Sequence, residues 1–200
     1  MLFITQSCRQ LAALSVLCFA MLSCEVDSVT HVDANPEPSS VTYTIPKGAH
    51  SATNNPFKLV SASKIRFQAV FDSSAVYTTT DPVNQGDINK LYGLSDCSSD
   101  HQTNSARFGW RWYNNRLEVH AYTYYNKSRK SELVSTIEIG KPYTFELRLE
   151  DNKFVFELNG KTVSLPRACT GKGEGYQLYP YFGGDEVAPH EIKIEIKELL

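Results

Sequence analysis

From Val41 onward, hydrophobic and polar residues alternate with a period of two, and no 3.6-residue period persists beyond two turns. Residues 105–125 show this most clearly. Phe108, Trp110 and Trp112 fall on one face of a predicted strand, and Arg107, Gly109, Arg111 and Tyr113 on the other. Asn114-Asn115 then reads as a tight turn. On the returning strand Leu117, Val119, Ala121 and Thr123 share one face, and Glu118, His120, Tyr122 and Tyr124 the opposite one. The predicted hairpin therefore has one apolar side and one side of arginine, histidine and tyrosine. Elsewhere Ile65, Phe67, Ala69 and Phe71 alternate with Lys64, Arg66, Gln68 and Val70, and Tyr143, Phe145, Leu147 and Leu149 alternate with Thr144, Glu146 and Arg148. Asn159-Gly160 separates two further strand-like runs, and Ile192, Ile194 and Ile196 alternate with charged neighbours near the end. The pattern predicts an all-β fold with Trp110, Phe145, Leu147, Phe156 and Ile194 in its core.

The first residues break this pattern. Arg9 precedes an apolar run over 11–22, too short to span a bilayer comfortably, which ends in Met21-Leu22-Ser23-Cys24. This end resembles the bacterial lipoprotein box, with methionine in place of the usual leucine. The resemblance implies a signal peptide over 1–23, cleavage before Cys24, and acyl chains on its thiol that anchor the mature protein to a membrane. The alternative is an ordinary secretory signal with an incidental cysteine. Residues 24–40 hold Asn35-Pro36-Glu37-Pro38-Ser39-Ser40 and no apolar period, which reads as a flexible stalk ahead of a folded domain over 41–200. Glu25 and Asp27 resemble sorting residues of surface lipoproteins in Bacteroidetes-type bacteria, which implies an outer-membrane location, periplasmic or surface-exposed.

Composition narrows the classes. Of 200 residues, 42% are hydrophobic and 12% aromatic, enough to bury a sizeable core in one domain. Residues 1–23 hold Arg9 as their only charge, so 19 bases and 22 acids remain beyond them, and no basic surface points to nucleic acid. If Cys8 and Cys18 leave with the signal and Cys24 carries lipid, Cys97 and Cys169 remain as an even pair in an oxidising compartment, which favours a disulfide. A competing reading is a metal site built from Asp96, Cys97, Asp100 and His101, whose mixed donors suit zinc.

Residues 140–161, then Leu178-Tyr179-Pro180-Tyr181-Phe182-Gly183-Gly184, then a closing alternating strand, resemble the second half of a concanavalin A-like jelly roll. Laminin G-like and lectin modules share this order. The resemblance implies a sandwich of two curved antiparallel sheets whose concave face often binds carbohydrate, sometimes with a structural calcium ion. Asp185-Glu186 offers oxygen ligands for such an ion, or forms only a turn.

The candidate ligand site is the polar side of the hairpin. Arg107, Arg111, His120, Tyr122 and Tyr124 project together, and Tyr179 and Tyr181 are expected to line the same trough. Guanidinium forks accept carboxylates bidentately, and tyrosine rings present flat apolar faces with a polar rim, so the set suits carboxylated sugars. Three classes follow: a noncatalytic glycan-binding or adhesive module, a polysaccharide lyase, and a structural envelope protein. For the lyase, Arg107-Phe-Gly-Trp-Arg111, Glu118-Val-His120 and Tyr181-Phe182-Gly183-Gly184 are similar to three strands of jelly-roll alginate lyases. Gly109 replaces the glutamate between the arginines, Glu118 replaces a glutamine, and the lysine of the third strand is missing. Glu118 is expected to repel an acidic substrate, which weighs against elimination with His120 or a tyrosine as base. Glu191, Glu195 and Glu198 fit a solvated strand face rather than a glycosidase pair, since Lys193 stands where that signature needs aspartate.

Overall fold

The computed structural model describes residues 39–199. The expected signal segment, the Cys24 expected to carry lipid and most of the expected stalk lie outside the described residues. Among these residues, twelve strands form two six-stranded antiparallel sheets. The first sheet runs, in spatial order, β1 (Val41–Ile45), β12 (Ile192–Leu199), β3 (Lys64–Phe71), β8 (Tyr143–Glu150), β9 (Lys153–Leu158) and β10 (Lys161–Pro166). The second runs β2 (Leu59–Ala62), β11 (Gly173–Leu178), β4 (Asn89–Ser95), β5 (Ser105–Tyr113), β6 (Arg116–Tyr125) and β7 (Ser128–Ile137). The fold is an all-β jelly-roll sandwich. Its first and last strands are neighbours, with Tyr43 opposite Ile194.

Period-two alternation turns one face of each sheet inward. Trp110, Phe145, Leu147, Phe156 and Ile194 are all fully buried. Phe108 of the second sheet meets Phe145 and Phe156 of the first edge-on, at ring separations of 5.0 and 5.1 Å. Each such phenylalanine contributes about 1.5–3 kcal/mol relative to exposure, and the edge-on geometry adds to this. Two-residue turns set the register. Asn114 and Asn115 have φ of 51° and 57°, the left-handed pair of a type I′ turn, so Tyr113 pairs with Arg116 and the register runs unbroken to Ser105 opposite Tyr124.

The stretch 178–184, which resembles part of a jelly roll, forms no strand beyond Leu178, the last residue of β11. The ladder of β11 stops at Leu178, because Pro180 lacks the N–H that a continued ladder needs. The chain bends there, and Tyr181 rejoins the sheet alone, exchanging backbone hydrogen bonds with Lys90 at 2.8 and 3.0 Å.

Cys97 and Cys169 form a disulfide with Cα atoms 5.8 Å apart. The zinc alternative fails here, because its cysteine is oxidised and Asp96 is engaged elsewhere. Asp96 Oδ2 accepts from Arg167 Nε at 2.6 Å, with both side chains fully buried. Arg167 also donates to the carbonyls of Glu150, Gly171 and Lys172, so the buried pair is satisfied throughout. Disulfide and ion pair together fix the base of the loop over 96–104.

Candidate functional site

The β5–β6 register places Arg107 opposite Tyr122, Gly109 opposite His120, and Arg111 opposite Glu118, all on the outer face of the second sheet. Such a face would ordinarily be wet, yet Arg107, Glu118, His120 and Tyr122 are buried. Two segments, 77–88 and 179–186, cover it.

The covering segments divide the expected site in two. At one end Arg111 Nε donates to Glu118 Oε2 at 2.7 Å, and His120 Nε2 lies 3.3 Å from the same oxygen. Arg111 Nη1 donates to the Gly86 carbonyl at 2.6 Å, and the guanidinium sits 4.5 Å from the centre of the Tyr113 ring. Gly86 ends a 3-10 turn over Pro82–Gly86, which Gln85 fastens to the Trp112 carbonyl at 2.6 Å. Ile88 closes the gap above Gly109, where an added Cβ would come within 2.4 Å of its Cγ2. Burial holds the His120 imidazole below its ordinary pKa, and the Arg111 charge adds to this against the opposing pull of Glu118. Arg111 and His120 therefore do not reach the open trough. Glu118, expected to repel an acidic ligand, instead neutralises Arg111 under the cover.

Glu186 holds the cover down. Its carboxylate accepts from the N–H groups of Thr80 and Asp81, each at 2.8 Å, and from Asn84 Nδ2 at 3.0 Å. Those bonds lower its pKa to about 2, Asp81 first. Nitrogen donors thus meet Glu186 where a calcium site would present bare carboxylate oxygens.

At the other end the face stays open. A cavity of about 400 Å³ is lined by Lys90, His101, Gln102, Arg107, Tyr122, Tyr124, Tyr181 and Gly184. Arg107 is 8% exposed, and its Nε has no hydrogen-bond partner. Among the described residues, no carboxylate forms an ion pair with it. Its guanidinium carbon lies 5.6 Å from the centre of the Tyr122 ring, and Lys90 Nζ lies 5.0 Å from the same centre. Burial, followed by the charges of Arg107 and Arg129, lowers the Lys90 pKa to about 8. Burial also holds the Arg107 guanidinium below its ordinary value. The Lys90 ammonium occupies the space above Gly183, where an added Cβ would come within 2.1 Å of it.

His101 and Tyr176 form the next wall. The His101 backbone N–H donates to the Tyr176 hydroxyl oxygen at 3.1 Å, and His101 Nδ1 lies 2.9 Å from that oxygen. Tyr181 is 36% exposed and stacks on His50, with ring centres 5.2 Å apart and planes 9° apart. The Tyr179 ring turns toward the core, against Tyr43 at 5.7 Å and Tyr92 at 5.9 Å, and Tyr179 borders only an adjoining cavity. The residues that line the open trough thus supply cationic and neutral donors; the nearby acid is Asp87, whose Oδ2 lies against Gly184 at the trough's edge, where an added Cβ would come within 1.9 Å of it, and whose charge opposes the lowering of the Lys90 pKa.

The hairpin pattern supplied Arg107, Tyr122 and Tyr124, but Lys90, His101 and Gln102 carry no comparable sequence signal. Lys90 stands at a β-bulge between Lys90 and Gly93 in β4, and the other two lie in the disulfide-anchored loop.

No protein-family model matches the chain, and no curated protein matches it. Solved structures of similar fold include alginate lyase vAL-1 from Chlorella virus, at 12% identity over 80% of this chain and 82% of that one, with a TM-score of 0.48. Alginate lyase A1-II′, a member of polysaccharide lyase family 7, is 10% identical over 80% of this chain and 79% of its own, with a TM-score of 0.49. The carbohydrate binding module CBM66 from Bacillus subtilis is 9% identical over 81% and 94%, with a TM-score of 0.37. These likenesses concern the fold alone.

Proposed function

We propose that the protein is a noncatalytic glycan-binding module whose ligand is an anionic, uronate-bearing polysaccharide held at Arg107 and Lys90. One observation carries the reading: Arg107 is buried, lacks a carboxylate partner among the described residues, and borders an open cavity beside a second cation. A desolvated charge without a counter-ion costs several kcal/mol, and an anionic group entering the cavity offsets that cost. Tyr122, Tyr124 and Tyr181 add ring faces and hydroxyls suited to a sugar. Lipidation at Cys24 and a stalk over 24–40 belong to the same proposal and rest on the sequence motif. They would hold the trough away from an outer membrane.

One observation favours β-elimination as a second reading. A lysine whose pKa falls to about 8 is matched to work as a base near neutral pH. Incubating the purified chain with neutral, uronate-bearing and sulfated polysaccharides separates the readings, using retardation in affinity electrophoresis and the ultraviolet absorbance of unsaturated uronates. Retardation by uronate polymers without absorbance supports the binding module. Rising absorbance selects elimination, with or without retardation, and neither retardation nor absorbance across the panel rejects both.

A further inference from the structure

The cavity at Arg107 does not end there. A second cavity of about 390 Å³ shares His101, Arg107 and Tyr181 with it and continues toward Phe57 and Tyr176. Both volumes lie within the range of small-ligand sites. The two halves differ in chemistry. Beyond the shared wall, the second cavity is bordered by Phe57, Tyr176 and neighbouring prolines, and it adds no lysine, arginine or carboxylate.

Phe57 is 77% exposed, a large apolar surface left in water. Its ring centre lies 5.8 Å from that of Tyr176, with planes tilted by 33°, so the two rings form a splayed aromatic floor. Tyr176 is fixed in place. Its hydroxyl is held by His101 and its backbone N–H donates to Ser95 Oγ at 2.9 Å, so ordering it on binding costs little. Ser51 and Asn55 stand at the polar margin.

We infer that Phe57 and Tyr176 form a second subsite for an uncharged sugar, so that the ligand is a mixed glycan in which a neutral residue adjoins the anionic one. This rests on the reading of Arg107 and Lys90 as the anion site. The apolar C–H face of a neutral pyranose covers exposed rings at little desolvation cost. A second uronate would bring its charge against an apolar floor without a new cation to meet it. Lys58, the nearest lysine along the chain, is bonded to Glu198. Continuity with the charged cavity selects a sugar of the same glycan as the occupant.

The test is calorimetric titration of the full chain with glucuronate, a glucuronate–glucose disaccharide in both orders of linkage, and a disaccharide of two glucuronates. The mixed disaccharide is expected to bind at least tenfold more tightly than glucuronate in one linkage order. Phe57→Ala should abolish that gain and leave glucuronate affinity unchanged, whereas Arg107→Met should remove both. Equal affinity for glucuronate and both mixed disaccharides overturns the subsite while leaving the anion site standing. So does tighter binding of the all-uronate disaccharide. Glucuronate binding that survives Arg107→Met, or that is absent altogether, overturns the anion site and the subsite with it. A dimer in sedimentation that Phe57→Ala dissolves assigns the rings to a second copy of the chain, and likewise overturns the inference.

Discussion

Arg111 Nε donates to Glu118 Oε2 at 2.7 Å, whereas Arg107, four residues earlier on the same strand face, forms no ion pair among the described residues. Two arginines that look equivalent in sequence therefore differ in role. Arg111 is bound into the fold beneath a cover, and Arg107 faces a cavity.

That difference predicts opposite responses to substitution. Glu118→Gln leaves Arg111 without its counter-charge and should cost about 2–4 kcal/mol of stability, measured by urea unfolding. Arg107→Met removes an unpaired buried charge, so stability should hold or rise while glycan binding is lost. A loss of stability in Arg107→Met comparable to that of Glu118→Gln would show that both arginines are structural.

Lys90 sets a pH dependence. Its pKa is lowered from 10.5 to about 8, so between those values the unfolded chain holds more protons than the folded one. Stability from this group therefore rises as pH climbs through that window. Anion affinity should move the other way, falling above about pH 8 as the ammonium is lost. Titrations at constant ionic strength should show this fall in the native chain and not in Lys90→Met.

The Cys97–Cys169 bond closes a span of 72 residues and anchors the loop that carries His101 and Gln102. Replacing both cysteines with alanine should cost about 4 kcal/mol on the chain-entropy model. It should also weaken glycan binding more than a distant substitution of equal stability cost, such as Ile194→Ala in the core. Equal weakening would mean that the bond stabilises the domain without positioning the site.

The buried Asp96–Arg167 pair offers a separate check on that corner. Asp96→Asn leaves a fully buried guanidinium without its carboxylate, and a loss of about 3–5 kcal/mol is expected in thermal or urea unfolding. A cost below about 1 kcal/mol would mean that the three carbonyls around Arg167 suffice to hold it.

The hairpin was legible because period-two alternation and an Asn-Asn turn act locally. Counting back from Asn114-Asn115 also puts Arg111 opposite Glu118, so that ion pair carried a readable signal. The cover over it did not. Segment 77–88 is held by Glu186 and Gln85 through contacts distant in sequence, which no alternation encodes. The bulge after Lys90 also interrupts the period of β4, so both Leu91 and Tyr92 are buried in the core while Lys90 borders the trough. Pro180 did signal the end of a strand, yet the tyrosines around it invited a single line through Tyr179 and Tyr181. The bend instead turns the Tyr179 ring onto Tyr43 and Tyr92 and leaves Tyr181 in the trough.

Calorimetric titration of the native chain and of Arg107→Met with one uronate-bearing oligosaccharide, at pH 7 and matched ionic strength, tests the anion site most directly. Saturable binding by the native chain that disappears in a variant unfolding at the same or a higher temperature is the predicted result. Undiminished binding by Arg107→Met would contradict it.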